Sequence, residues 1–185
     1  MYILYPVFMA GHNKWSKIKN RKAVTDGQKA KIFSKLIKLL TVESRICKGD
    51  TNSPSLRSAI EKAKAANVPN DNIERAIKKG VGGNEDNMES ITYESYGPGG
   101  CAIIIQSLTS NRNKAAQEIK HILTKNGYEL AVPGSASWGF TKTLEGEWKP
   151  NLEIEISEED GKKLDELIEQ LEENEEVQEV YTNAA

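Results

Sequence analysis

The hydrophobic pattern of this 185-residue chain changes its period at one place, and this change most constrains the fold. Before residues 80–84 (GVGGN) apolar residues recur at helical spacing, and after them short alternating or β-branched runs dominate. Glycine clusters of this kind are typical of a linker or hinge. The sequence therefore predicts a helical domain at 13–80 and an α+β domain at 81–185, preceded by a disordered N-terminal extension at 1–12.

Three helices are predicted in the first domain, at 25–48, 53–67 and 71–79. Ser53-Pro54 is a helix-start signal, and Gly49 and Gly80 follow the last periodic residues as stop signals. In the first helix the apolar residues share one arc, while lysines and an arginine occupy the opposite arc. We therefore expect one face of this helix to pack and the other to carry a row of exposed cations.

The second domain has a different order of elements. Strands are predicted at five ranges: 91–96, 101–108, 136–140, 152–156 and 177–181. Helices are predicted at 111–126 and after Ser157, with leucines and isoleucines on their inward faces. This order favours a ferredoxin-like α+β sandwich, in which helices cover one face of an antiparallel sheet.

Charge is divided along the chain, although the net charge is only −2. Residues 1–80 contain 17 Lys and Arg against 6 Asp and Glu, whereas residues 144–185 contain 3 against 15. A dense basic segment favours a polyanion, because cations near phosphates release condensed counterions. A lysine-rich solvated helix face is the plainer alternative. The acidic segment would repel the same polyanion, so a binding face should be one-sided.

The candidate nucleic-acid-binding residues lie in a basic arm and on the predicted cationic helix face. They are Lys14, Trp15, Lys17, Lys19, Arg21, Lys22, Lys29, Lys31, Lys35 and Lys38. The lysines and the arginine would contact phosphates, and Trp15 would stack on a base or pack beneath the arm. Because phosphate contacts carry no sequence information, this pattern leaves DNA and RNA both open.

Other classes of function find little support in the sequence. No apolar run approaches the roughly 20 residues that span a bilayer, so we expect no membrane partner. The cysteines, Cys47 and Cys101, and the histidines, His12 and His121, are too scattered for a metal site or a catalytic constellation. We therefore expect a protein that is not an enzyme, with no cofactor and no small-molecule substrate.

Several stretches resemble one known family. The segments MAGHNKW (9–15), AIEKAKAANVPNDNIERAIKKG (59–80), YESYGPGG (93–100), LTSNRNKAAQEI (108–119) and VQEVYTN (177–183) are similar to the YebC/PmpR family. The resemblance implies three domains, the third inserted into the second. Only nine residues separate Phe140 from Pro150. We infer that the third domain is absent here and reduced to a short hairpin near 141–149.

The resemblance also implies a function. Family members are described as transcriptional regulators that bind DNA and as ribosome-associated translation factors, including mitochondrial activators. Nucleic-acid contact is carried over only to the matching residues, which are Lys14, Trp15, Lys19, Arg21, Lys22, Lys31 and Lys35. Asn20 stands where the family more often has histidine.

Three hypotheses remain open at this point. The first is a DNA-binding transcriptional regulator, although no helix-turn-helix signature supports sequence readout. The second is a translation factor that binds ribosomal RNA or tRNA on the ribosome. The third is a protein-interaction module whose acidic C-terminal helix docks a basic partner. In this third hypothesis the basic partner could also be the basic arm of a second copy of the chain. We expect a cytoplasmic location, or a mitochondrial one in a eukaryote.

Overall fold

The computed structural model of the protein describes residues 26–82 and 88–185. The predicted N-terminal extension at 1–12 lies outside the described residues, as do the last two residues of the predicted linker, 83 and 84. The same is true of six candidate binding residues, which are Lys14, Trp15, Lys17, Lys19, Arg21 and Lys22.

The first part of the chain is a three-helix domain, as predicted. Its helices are α1 (Asp26–Ile46), α2 (Pro54–Ala65) and α3 (Asn70–Val81). Proline at the start of α2 costs no hydrogen bond, because the first N–H groups of a helix have no intrahelical acceptor. Leu36, Leu40, Leu56, Ala63 and Ile73 are fully buried between the helices and form the centre of this core.

Gly80 has a different role from the one predicted. We expected it to end α3 and begin a linker, but α3 continues to Val81 and Gly80 is buried. A Cβ at Gly80 would lie 2.5 Å from the carbonyl oxygen of Thr41 and 2.7 Å from the Cβ of Ser44. Ser44 also donates a 2.8 Å hydrogen bond to the Ile77 carbonyl. Glycine at position 80 therefore allows α1 and α3 to approach closely.

The second part of the chain is an α+β domain with two antiparallel sheets. Its elements in order are β1 (Glu89–Tyr96), β2 (Ala102–Thr109), α4 (Arg112–Lys125), β3 (Phe140–Lys142), β4 (Trp148–Pro150), α5 (Glu158–Glu173) and β5 (Val177–Thr182). The main sheet has the order β1-β2-β5, and β3 and β4 form a two-stranded hairpin. Asn111 and Ser157 cap the two helices, since each side chain accepts a hydrogen bond from a backbone N–H three residues on.

Alternate residues of β2 build the two sides of this domain. Ile103 and Ile105 point to one face, where α4 and α5 cover them with residues such as Leu167. Ala102 and Ile104 point to the other face and pack against a smaller cluster that includes Phe140 of the hairpin. Helices on one face of an antiparallel sheet are the architecture that the sequence predicted, and the fold class is confirmed.

Two of the predicted strands are wrong. Residues 137–139 form a 3₁₀ turn, and in the segment 152–156 only Ile154 makes an isolated bridge, to Ala184. The first segment is held by a side chain, because the buried Glu94 carboxylate accepts hydrogen bonds from the N–H groups of Gly134, Ala136 and Ser137. These three hydrogen bonds satisfy backbone groups that a strand would have paired with a neighbour.

A hairpin is present where the sequence predicted one. In it Phe140 pairs with Pro150, and Lys142 pairs with Trp148. Lys142 Nζ lies 5.7 Å from the centre of the Trp148 ring, within the range of a cation–π contact. The inference that this hairpin stands in place of a third domain stays a prediction.

Candidate functional site

Four of the predicted binding residues lie in the described part of the chain, all on α1. Lys29 and Lys31, near the start of the helix, are exposed, whereas Lys35 and Lys38 are half-buried. The helix therefore divides its cations into an exposed pair, which continues toward the basic arm in sequence, and a pair that faces the rest of the protein.

Lys35 reaches the last turn of α5 in the other domain, and Lys38 reaches the turn that follows this helix. Lys35 Nζ donates to the carbonyl oxygen of Glu172, and Lys38 Nζ donates to that of Glu175 at 3.2 Å. We name these two hydrogen bonds the α1–α5 contact. The last carbonyls of a helix have no intrahelical donor and carry partial negative charge, so they attract cations. The expectation that the whole cationic face projects into solvent is therefore wrong for these two lysines.

The α1–α5 contact buries a positive charge. The pKa of Lys35 is lowered to about 8: burial is the main cause, Lys38 and Lys31 act in the same direction, and the carboxylates of Glu172 and Glu175 oppose the change. A lowered lysine pKa means that the protein disfavours the charged form relative to water. The contact is therefore electrostatically costly at neutral pH, although it satisfies the Glu172 carbonyl.

A second lysine, Lys62, joins the two domains, and here the surroundings favour the charged form. Lys62 Nζ on α2 lies 3.0 Å from an oxygen of Glu147 in the hairpin and 2.9 Å from an oxygen of Glu179 in β5. Burial opposes the Lys62 charge, but Glu179 and Glu147 outweigh it and raise the pKa of Lys62. Glu179 also accepts a hydrogen bond from the Tyr181 hydroxyl. We name this arrangement the Lys62 contact.

A small cavity of about 50 Å³ lies beside the Lys62 contact. Residues of both domains line it, among them Leu39, Ser58, Lys62, Gln106 and Glu179. Its volume gives room for only a few water molecules. The space between the domains is therefore part of a packed interface, and this cavity is too small to be a substrate pocket.

Two features are absent from residues 26–82 and 88–185. Across these ranges no His, Cys, Asp and Glu side chains gather in a group of three that could hold a metal ion. The helices of the same ranges are all too short or too polar to cross a membrane.

Sequence reasoning missed Lys62, Glu147 and Glu179 as a group. On the sequence they are one lysine of a basic helix and two glutamates of an acidic segment, with no local pattern that pairs them. The charge division along the chain was a signal that could have suggested such a pairing, because a basic and an acidic half attract each other. The structure shows this attraction within one chain.

These features define a class of protein: a basic helical domain that docks through lysines onto an acidic α+β domain with antiparallel sheets. Residues 13–83 match the family model described as the TACO1/YebC protein N-terminal domain. Residues 88–145 and 141–184 match the model described as the TACO1/YebC second and third domain. The chain belongs to the TACO1/YebC family.

Similar proteins include two that carry the name "probable transcriptional regulatory protein". One, from Desulfatibacillum aliphaticivorans, is 52% identical over 136 residues, which are 72% of this chain and 55% of the relative. The other, from Yersinia pestis, is 47% identical over 147 residues, which are 78% of this chain and 60% of the relative. The chain thus spans little more than half the length of these relatives.

A solved structure has a similar fold. It is the crystal structure of a conserved hypothetical protein from Aquifex aeolicus, which superposes with a TM-score of 0.76 at 32% sequence identity. The match covers 92% of this chain and 96% of that one. The arrangement of a helical part followed by an α+β part is therefore shared with an experimentally determined structure.

Proposed function

We propose that this protein is a non-enzymatic, nucleic-acid-binding regulator of gene expression, with duplex DNA as its ligand. The observation that carries the proposal is the concentration of cations in the first 80 residues, which contain 17 Lys and Arg but only 6 Asp and Glu. The name "probable transcriptional regulatory protein" of the similar proteins agrees with it. Cations of this density attract the phosphate backbone at long range.

The described part of the proposed surface is the start of α1. Lys29 and Lys31 are exposed there, and the basic arm with Trp15 precedes them in sequence. By contrast, acidic residues dominate the exposed surface of α5, which would repel phosphate. The proposed binding face is therefore the start of α1 together with the arm.

The test is a fluorescence-anisotropy titration of labelled duplex DNA over a series of salt concentrations, with a Lys29→Gln/Lys31→Gln variant. Each lost phosphate contact should lower the slope of log affinity against log salt by about 0.9, so the double change should lower it by about 2. The matched control is Lys162→Gln/Lys163→Gln. These two lysines lie on α5 in ion pairs with Glu158 and Glu159, and their loss should leave the slope unchanged.

Three outcomes separate the hypotheses. Salt-sensitive binding that differs among duplex sequences supports a DNA-binding regulator. Equal binding to all duplexes, together with co-sedimentation with ribosomes that DNA cannot reverse, contradicts it and favours a translation factor that binds ribosomal RNA or tRNA. Equal slopes for the two double variants would show that the start of α1 is not the binding surface.

A further inference from the structure

The α1 lysines have two possible anionic partners, and the structure shows one of them in place. Lys35 donates to the carbonyl oxygen of Glu172 in the last turn of α5, and Lys38 donates to that of Glu175 just after this helix. Lys35 is half-buried in this position, and its ammonium group is already engaged by the Glu172 carbonyl. A nucleic acid that binds along α1 past Lys31 therefore reaches lysines that already donate hydrogen bonds to the α+β domain.

The end of α5 offers what a phosphate backbone would offer. Its last-turn carbonyls carry the negative end of the helix dipole, and the carboxylates of Glu172 and Glu175 add attraction to Lys35. Glu176 lies just after α5, and its carboxylate forms an ion pair with Lys114 at 2.9 Å. This end of the domain is therefore anionic and already binds a cation.

We propose that the α1–α5 contact is autoinhibitory: the end of α5 occupies Lys35 and Lys38, and nucleic acid must displace it to bind the full α1 row. The inference rests on the proposed function. Because both partners compete for the same two ammonium groups, docking lowers nucleic-acid affinity, and by linkage nucleic acid loosens docking. The Lys62 contact holds the other end of the interface, so the domains separate at α1–α5 without coming apart.

The electrostatic cost of the α1–α5 contact makes displacement easy. A buried lysine that meets carbonyl oxygens regains less than its lost hydration, whereas a phosphate at the surface offers a full charge in partly hydrated surroundings. The docked state and the nucleic-acid-bound state should therefore differ little in free energy, as a two-state switch requires.

The experiment compares two double variants of α5 with the same change in net charge. Glu172→Gln/Glu175→Gln weakens the electrostatic attraction to Lys35, and Glu158→Gln/Glu159→Gln at the start of α5 is the control. Fourteen residues of helix rise place the two pairs about 20 Å apart. The full chain is titrated against labelled duplex DNA, and hydrogen exchange of the last turn of α5 is followed with and without DNA.

The expected result is a gain in affinity of at least about fivefold for Glu172→Gln/Glu175→Gln over the control. In a Lys35→Gln/Lys38→Gln background this advantage should disappear, because the contact is already absent. Added DNA should speed hydrogen exchange at the end of α5 in the unmodified protein. That change requires displacement, since DNA bound elsewhere would leave the exchange unaltered.

Two results would overturn the inference in distinguishable ways. Equal gains for the two glutamate pairs would mean that only the overall charge matters, and the proposed function would stand without autoinhibition. An absence of DNA binding by every variant would overturn the proposed function and the autoinhibition together. In that case hydrogen exchange without DNA would still show whether Glu172→Gln/Glu175→Gln loosens the end of α5.

Discussion

Two lysines of the helical domain reach the α+β domain, and they meet different chemistry there. Lys35 donates to the Glu172 carbonyl, and burial lowers its pKa to about 8. Lys62 lies between the carboxylates of Glu147 and Glu179, which raise its pKa despite burial. The same side chain is thus destabilised in its charged form at one contact and stabilised at the other.

The interface between the two domains therefore has a strong end and a weak end. Burying a lysine costs free energy that partial charges on carbonyls regain only in part, whereas two carboxylates compensate it. Lys62 should therefore stabilise the docked domains, and Lys35 should not. This contrast can be tested by changing each lysine and its partners.

Replacement of Lys62 should cost the most stability. Lys62→Met leaves Glu147 and Glu179 facing each other without a cation, and the Glu179 side chain is only 13% exposed. Removing one partner of a largely buried ion pair typically costs about 3–5 kcal/mol, and partial exposure of Glu147 reduces this to about 2–4 kcal/mol. Urea unfolding of the variant and the unmodified protein measures the difference.

The control for this change is Lys64→Met on the same helix. Lys64 is exposed, so its loss should change the free energy of unfolding by less than about 0.5 kcal/mol. Similar losses for the two variants would mean that the Lys62 contact is no stronger than a surface charge, and the contrast with Lys35 would fail.

The pH dependence of stability should show that the pKa of Lys35 is lowered in the folded protein. Below pH 8 Lys35 is charged in both the folded and the unfolded chain, and its burial costs stability in full. Between pH 8 and 10.5 only the unfolded chain holds the proton, so folding releases it and stability rises with pH. The pKa of Lys62 is raised, so its contribution is present throughout this window and is lost only above it.

The measurement is the difference in unfolding free energy between Lys35→Met and the unmodified protein, because the difference cancels other groups that titrate. The advantage of the variant should fall by about 2 kcal/mol as the pH rises from 7 to 10. The charged groups around Lys35 are Lys31, Lys38, Glu172 and Glu175. A difference independent of pH would show that Lys35 is not the titrating group.

At pH 7 Lys35→Met should be neutral or stabilising, by up to about 1 kcal/mol. The variant removes a buried charge and keeps most of the apolar stem, and it loses only the bond to the Glu172 carbonyl. Thermal unfolding of this variant beside Lys62→Met gives the most direct comparison of the two contacts. A loss of stability comparable to that of Lys62→Met would reverse the assignment of the strong and weak ends.

Glu147→Gln should cost far less stability than Lys62→Met. Glu147 is 28% exposed and Glu179 still pairs with Lys62 in this variant, so the expected loss is about 0.5 kcal/mol. Added salt should shrink this loss, because solvent ions screen an exposed charge. Denaturant unfolding at two salt concentrations checks both points, and a loss above that of Lys62→Met would contradict the arrangement.

Local patterns predicted much of this fold. The three helices, the paired strands β1 and β2, and the helix after Ser157 lie within about two residues of their predicted ranges, because apolar spacing and caps are local signals. The strand predictions at 136–140 and 152–156 failed. The first segment is held by Glu94 from a distant strand, and the second contacts only the end of the chain.

The candidate site was predictable in composition and not in arrangement. The sequence alone determined that α1 has a cationic face, that the charges of the chain are divided, and that the fold is α+β after a helical domain. Which of these cations stay exposed depends on how the two domains pack against each other. Lys31 remains at the surface, while Lys35 and Lys38 dock on α5 and Lys62 meets Glu147 and Glu179. The physical reason is that the sign of a lysine's contribution depends on its burial and its partners, and these lie more than 80 residues away in the chain.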